Sequence, residues 1–153
     1  MSSTELATDS AYEISTDPAR LDFTAIHAYL TRSYWSPGIP LAIVEKAARN
    51  SLCFGVYEKS GAQVGFARVV TDHATFAYLC DVYVLESHRG HGLGKRMMRE
   101  AMAHPALSGA RRVMLATRDA HGLYRLSGFT VAGGEGNLME VVRPDPYRAT
   151  SRQ

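Results

Sequence analysis

The chain is predicted to fold as an α+β domain with a mixed, mostly antiparallel sheet flanked by helices, and three observations carry this. Residues 52–84 hold three apolar strand-like segments joined by links too short for crossovers, which makes an antiparallel meander. Segments with apolar residues at helical spacing stand before and after that meander. A glycine-rich loop leads from the last meander strand straight into a helix.

In order along the chain, a short strand is expected at 11–15, followed by the turn and helix-start signal Asp17-Pro18. Leu21, Ala25, Ala28 and Tyr29 share one helical face, so a helix is expected over 21–32. Residues 34–38 read as a loop, and a second helix is expected over 41–49 with Ile43, Val44 and Ala47 inward. Strands follow at 52–57, 63–70 and 75–84, the last two joined around Asp72-His73. A helix is expected over 92–103, stopped by Pro105, because the residue before a proline is pushed out of helical geometry. A strand at 112–116, a short helix at 121–127 ended by Gly128, and strands at 129–132 and 138–142 complete the order. The domain is thus expected to span 11–143, with 1–10 and 144–153 as flexible ends.

Composition narrows the function classes. The chain has 153 residues, 46% hydrophobic and 21% charged, as ordinary globular proteins do. No apolar run reaches the roughly 18 residues of a membrane span, and the polar start lacks the pattern of a signal peptide. The expectation is a cytoplasmic protein. A net charge of +2 is too small to argue for nucleic acid. Positive charge is nevertheless concentrated in Arg89, Lys95, Arg96, Arg99, Arg111 and Arg112, which would suit a polyanionic ligand or a solvated helix face. Cys53 and Cys80 sit in apolar strand segments and read as buried free thiols. Neither metal spacing such as H-E-x-x-H nor G-x-S-x-G is present, so no metal is expected.

The chemistry-bearing stretch runs from Asp81 to Lys95. Gly90, Gly92 and Gly94 alternate in the loop that opens a helix. Glycines let backbone N–H groups converge on one spot, and a helix start adds unpaired donors and partial positive charge. Such a site suits a phosphate or pyrophosphate, here bracketed by Arg89 and Lys95. The spacing is neither G-x-G-x-x-G nor a P-loop, since Arg96 stands where Ser or Thr would hold magnesium.

The sequence Arg89-Gly90-His91-Gly92-Leu93-Gly94 resembles the Arg/Gln-x-x-Gly-x-Gly/Ala pyrophosphate loop of the GNAT superfamily of N-acetyltransferases. Downstream, Ala120, Tyr124 and Gly128-Phe129 are similar to that family's second signature, and the element order over 12–142 also matches. The resemblance implies acetyl-CoA as cosubstrate, lying where the 75–84 strand splays from its neighbour. Backbone groups of Val82, Tyr83 and Val84 would meet the pantetheine arm. The amides of Arg89, Gly90, His91, Gly92, Leu93, Gly94 and Lys95 would hold the pyrophosphate. Tyr124 would protonate the departing thiolate. Thr117 stands where many members carry an Asn that contacts pantetheine. Tyr34, Trp35 and His27 lie in the region that covers the acceptor side.

Acetyl transfer needs a neutral amine, a polarised carbonyl and a protonated leaving sulfur. Strict alternation along 75–84 puts Asp81 on one face with Ala77, Leu79 and Tyr83. If the hairpin turns on Asp72-His73, Arg68, Phe66 and Val64 share that face. The expectation is that Asp81 takes the amine's proton and Arg68 orients a substrate acid, against the alternative of a purely structural ion pair. Glu86 is a second base candidate. The resulting picture is direct transfer in a ternary complex to a small-molecule amine by a monomer or homodimer. The alternatives are a non-catalytic acyl-CoA-binding module and an enzyme acting on protein N-termini or lysines.

Overall fold

Five strands pair in the order β1-β2-β3-β4-β5 in a computed structural model that describes residues 11–133, 136–143 and 147. The strands are β1 (Tyr12–Ser15), β2 (Leu52–Glu58), β3 (Gln63–Thr71), β4 (Phe76–Val84) and β5 (Arg112–Leu115). Each of the first four is antiparallel to its neighbour, and β5 joins β4 in parallel. The expected meander is therefore present.

Both hairpins have local chemistry that fixes them. At the β2–β3 turn Gly61 takes φ 93°, a conformation that costs glycine little. At the β3–β4 turn the Asp72 carboxylate accepts from the N–H groups of Ala74, Thr75 and Phe76 and from the Thr75 hydroxyl. That set of bonds closes the turn and starts β4.

Two helices, α1 (Phe23–Leu30) and α2 (Leu41–Arg49), cover one sheet face. The first starts two residues later than its apolar spacing suggests, because Asp22 is its cap and accepts from Ala25 N. Ile26, Leu30, Val44 and Ala48 pack there with Cys53, Phe66 and Tyr83. The other face carries α3 (Leu93–Ala103) and the short α4 (Pro105–Ser108). Leu93, Met97, Met98 and Ala101 pack on Phe54, Val56, Val69 and Leu79. Pro105 ends α3 as expected and also opens α4, where a missing N–H is harmless. The α4 turn was not foreseen. A last short helix, α5, covers His121–Arg125.

Ile43, expected inward on α2, is 41% exposed and Ala48 is buried instead, and Val64 packs beneath α3 rather than sharing the face of Phe66, because the β2–β3 register shifts beside it. Two larger expectations also fail. Residues 129–132 and 138–142 are not strands. Their composition is strand-like, but a strand needs a ladder partner, and among the described residues neither segment has one. Phe129 packs on the core, but most of the other apolar side chains are left in the open, with Val131 73%, Met139 96% and Val141 81% exposed. The second failure is the strict alternation along β4. The β3–β4 register slips between Phe66↔Tyr83 and Arg68↔Cys80, so Asp81 and Val82 together oppose one residue, Ala67. This bulge reverses the inward face of the strand: Ala77 and Leu79 pack beneath α3, whereas Tyr83 packs beneath α1 and α2. Asp81 and Tyr83 thus do not continue the face of Ala77 and Leu79.

The expected loose ends, 1–10 and 144–153, lie outside the described residues apart from Tyr147. No helix among the described residues is long and apolar enough to cross a membrane.

Candidate active site

The bulge is the centre of the site. Asp81 sits at φ 55°, left-handed geometry that is uncommon for any residue but glycine and that Asp and Asn tolerate best. Its carboxylate is held from two sides. Arg68 Nε donates to Oδ2 at 2.8 Å, and Trp35 Nε1 donates to Oδ1 at 2.9 Å. The ion pair is largely shielded, with side-chain exposures of 19% and 12%. Strict alternation left direct pairing open; the bulge brings the two side chains together. Arg68 Nη1 also donates to Ser51 Oγ at 3.1 Å.

Beside Asp81 the sheet opens. The parallel ladder between β4 and β5 ends at Leu79↔Leu115, while β4 runs on to Val84. The edge of β4 from Cys80 onward therefore faces a gap rather than a neighbour. A cavity of about 220 Å³ fills this opening, lined by Asp81 and Val82 on one side and Thr117 and Tyr124 on the other. Tyr34, Trp35 and Tyr78 supply aromatic walls. Burial, with a smaller contribution from Tyr34, pushes the Tyr124 phenol above its ordinary value. It is a neutral hydrogen-bond donor at physiological pH. Thr117 Oγ1 accepts from Ala120 N at 3.0 Å and so ties down the loop before α5. Burial pushes the Cys80 thiol up to about 11 and that of Cys53 up to about 12, which keeps both protonated.

The glycine loop follows β4 through a single turn over Glu86–His88. Gly90 and Gly92 have φ 87° and 72°, so the loop needs glycine at both. A Cβ added at Gly90, Gly92 or Gly94 would meet nothing within 4 Å. The loop therefore presents bare backbone to open space. Gly92 caps α3 without any side-chain bond, and Arg96 N is the donor that reaches back to its carbonyl. The N–H groups of Leu93, Gly94 and Lys95 precede that first helical bond and are free to face an anion. A pyrophosphate fits such a cradle.

Two charged groups near the loop are already engaged. Arg89 Nε donates to Val84 O and Nη2 to Tyr29 Oη, so its guanidinium braces the end of β4 against α1. Its own N–H bonds Glu86 O. Glu86 receives both Nη groups of Arg32, at 2.9 and 3.1 Å, and this hydrogen-bonded guanidinium holds its carboxyl down to about 2. A group that acidic is a poor base for an amine.

Of the residues expected to cover an acceptor, Trp35 and Tyr34 lie edge to face with centroids 5.1 Å apart, and Arg118 covers the Tyr34 ring at 3.8 Å. His27 faces elsewhere: its Nε2 donates to Ile39 O at 3.0 Å and fastens α1 to the segment before α2. Tyr83 is buried, its ring stacked on Tyr29 at 4.0 Å. Only backbone of Tyr83 is available to the opening. Sequence reasoning missed Tyr29, Ser51 and Tyr78. Tyr29 was legible only as part of an apolar helical stripe, and nothing in the spacing reveals that it stacks on Tyr83 and holds Arg89. A larger cavity, about 450 Å³, lies across β5 where Leu138 and Phe129 fail to pair as strands. It contains neither Asp81 nor Tyr124.

Comparison with known proteins gives consistent results. The family described as "Acetyltransferase (GNAT) family" matches residues 9–129. A protein of Gibberella zeae named as an acetyltransferase is 38% identical over 135 residues, covering 74% of this chain and 75% of its own. The crystal structure of a GNAT-family acetyltransferase from Xanthomonas campestris pv. campestris superposes with TM-score 0.85 at 50% identity, covering 89% of this chain and 96% of that one. A probable acetyltransferase from Staphylococcus aureus shares the fold at TM-score 0.70 and 20% identity, over 86% of this chain and 99% of its own.

Proposed function

The chain belongs to the GNAT family of acetyltransferases, and from that premise we propose that it moves an acetyl group from acetyl-CoA directly to a primary amine of a small molecule. The observation that supports this reading most strongly is that Asp81 and Tyr124 line one cavity in the opening between β4 and β5. That arrangement puts a proton acceptor and a proton donor around one reaction space.

Bound acetyl-CoA would supply the activated thioester. The backbone of the glycine loop and the first turn of α3 would hold its pyrophosphate. The unpaired edge of β4 at Val82 and Val84 offers backbone groups to the pantetheine arm, with Thr117 across the gap. Asp81 accepts the proton of the incoming ammonium, directly or through water, so that the nitrogen can attack. A backbone N–H of the splayed β4 edge steadies the carbonyl oxygen as negative charge develops. Tyr124 gives its proton to the sulfur as the C–S bond breaks and the N–C bond forms, and the second proton shed by the nitrogen restores the phenol. The protonated state of Cys80 and Cys53 favours this direct route over an acyl-cysteine intermediate.

Calorimetric titration with acetyl-CoA, with NAD and ATP as controls, tests the reading. Selective, saturable binding followed by amine-dependent release of free thiol is the expected result. Folded protein that binds no acetyl-CoA would overturn it.

A further inference from the structure

Asp81 borders two cavities, and only one of them lies in the opening beside β5. The second, also about 220 Å³, lies between the α1–α2 connection, α2 and the sheet. Its walls are mostly hydrocarbon: Leu30, Ile39, Ile43, Val44, Ala47 and Phe66. Small-molecule pockets commonly enclose about 300–1,000 Å³. This one suits a compact occupant.

Tyr147 also lines the second cavity and brings one phenol, while the other polar groups are committed. Ser36 Oγ is bonded to Leu30 O and Ser33 Oγ. Arg68 and Asp81 are its charged lining residues, and they neutralise each other. A second cation on the acceptor finds no unpaired carboxylate among these residues. An acceptor carboxylate would meet a guanidinium whose charge Asp81 already balances, and so would lose its water without gaining a free countercharge. Sugar hydroxyls would lose water without gaining equivalent partners.

Trp35 forms the partition, since it lines both cavities and its indole N–H occupies Asp81 Oδ1. An ammonium donor can take that position one for one. Trp35 and Asp81 are the lining residues that the two cavities share, so displacing the indole would leave Asp81 between them. Resting on the acetyltransferase reading above, we infer that the acceptor is a monoamine on a compact apolar body. Its hydrocarbon lies under α2, and its nitrogen replaces the Trp35 N–H on Asp81, facing Tyr124.

Trp35 is the sole tryptophan of the chain, so its emission reports on this exchange without any turnover. The full-length protein is titrated with isoamylamine, leucine, spermidine and glucosamine while Trp35 fluorescence is followed. A saturable change with isoamylamine, and none with the other three at equal concentration, is expected. In acetylation assays kcat/KM should fall about fourfold for each methylene removed from the alkyl chain. Ala47→Leu, which fills the second cavity, should raise the KM for isoamylamine at least tenfold while calorimetric acetyl-CoA affinity stays within twofold. No Trp35 response to isoamylamine, or a kcat/KM for leucine, spermidine or glucosamine matching that for isoamylamine, would overturn the inference. The two readings fail separately. A Trp35 response without acetyl-CoA binding keeps the amine pocket and removes the acetyltransferase assignment. Acetyl-CoA turnover on a polar amine does the reverse.

Discussion

Arg68 and Asp81 meet at 2.8 Å across the one place where the β3–β4 register slips. The bulge and the ion pair explain each other. The left-handed backbone at Asp81 turns its carboxylate toward Arg68, and the pair holds a conformation that a non-glycine residue adopts only at some cost. Asp81→Asn is the sharpest test of the base assignment, because Asn also tolerates this φ but cannot take up a proton. The expected kcat loss is about 10²- to 10⁴-fold, the usual contribution of a positioned base. Melting should fall by several degrees, since Arg68 loses its countercharge in a largely shielded position, so kcat is compared at a temperature where both proteins are folded. A variant with unchanged kcat and an unchanged pH–rate profile would reduce Asp81 to a structural partner.

Tyr124 carries the second prediction. Burial raises its phenol above about 10, so it stays protonated through the working range, and proton donation is lost only as pH climbs past that raised value. Tyr124→Phe keeps the ring, which lies against Phe129 with centroids 6.0 Å apart. The fold should therefore survive, with melting within a few degrees of the parent. The expected effect falls on kcat, by about 10²-fold or more, with little change in acetyl-CoA affinity. Thioesters with better leaving groups should recover part of the loss, since a more acidic thiol needs less help to depart.

Much of the fold was legible because it rests on local signals. The boundaries of α2 follow from its apolar spacing, the meander from short polar links, and the end of α3 from Pro105. The glycine loop was legible for the same reason: a positive φ at Gly90 and Gly92 is a local demand. What failed was non-local. Alternation predicts faces only while the register holds, and no residue pattern announced the slip at Asp81. Consistency between levels breaks here at the proposed reaction centre, where such breaks commonly fall. The segments at 129–132 and 138–142 failed for a related reason, since strand composition cannot supply a ladder partner.

The glycine loop gives a paired prediction. Gly92→Ala places a side chain at φ 72°, which costs about 1–2 kcal/mol in left-handed geometry. It should lower the melting temperature and weaken acetyl-CoA binding through the distorted loop. Gly94→Ala differs, because that residue lies within α3 and an added Cβ meets nothing within 4 Å. Helix propensity should make it neutral or stabilising by up to about 1 kcal/mol. Its methyl group would nonetheless stand beside the first-turn N–H groups, so acetyl-CoA affinity should fall. Calorimetry combined with thermal melts separates the two. If Gly94→Ala binds acetyl-CoA as tightly as the parent, the pyrophosphate does not sit at the start of α3.

The two thiols distinguish direct transfer from a covalent route. Cys80 lies next to Asp81 in the lined opening, the position a nucleophile would need, yet burial lifts its thiol to about 11. The nearby Arg68 charge opposes that shift without cancelling it. At pH 7.5 the thiol is then almost wholly protonated, and it is a weak nucleophile. Cys80→Ala should retain kcat within about threefold, with any loss arising from the altered wall of the cavity rather than from chemistry. Mass spectrometry of protein mixed with acetyl-CoA in the absence of amine should show no added acetyl group on Cys80. Activity should rise with pH as more of the amine is deprotonated, with no inflection from a thiol below about pH 10. A stable acetyl-Cys80 adduct, or burst release of free thiol that disappears in Cys80→Ala, would replace the ternary complex with a two-step mechanism and remove the need for Asp81 and Tyr124 to act at the same time.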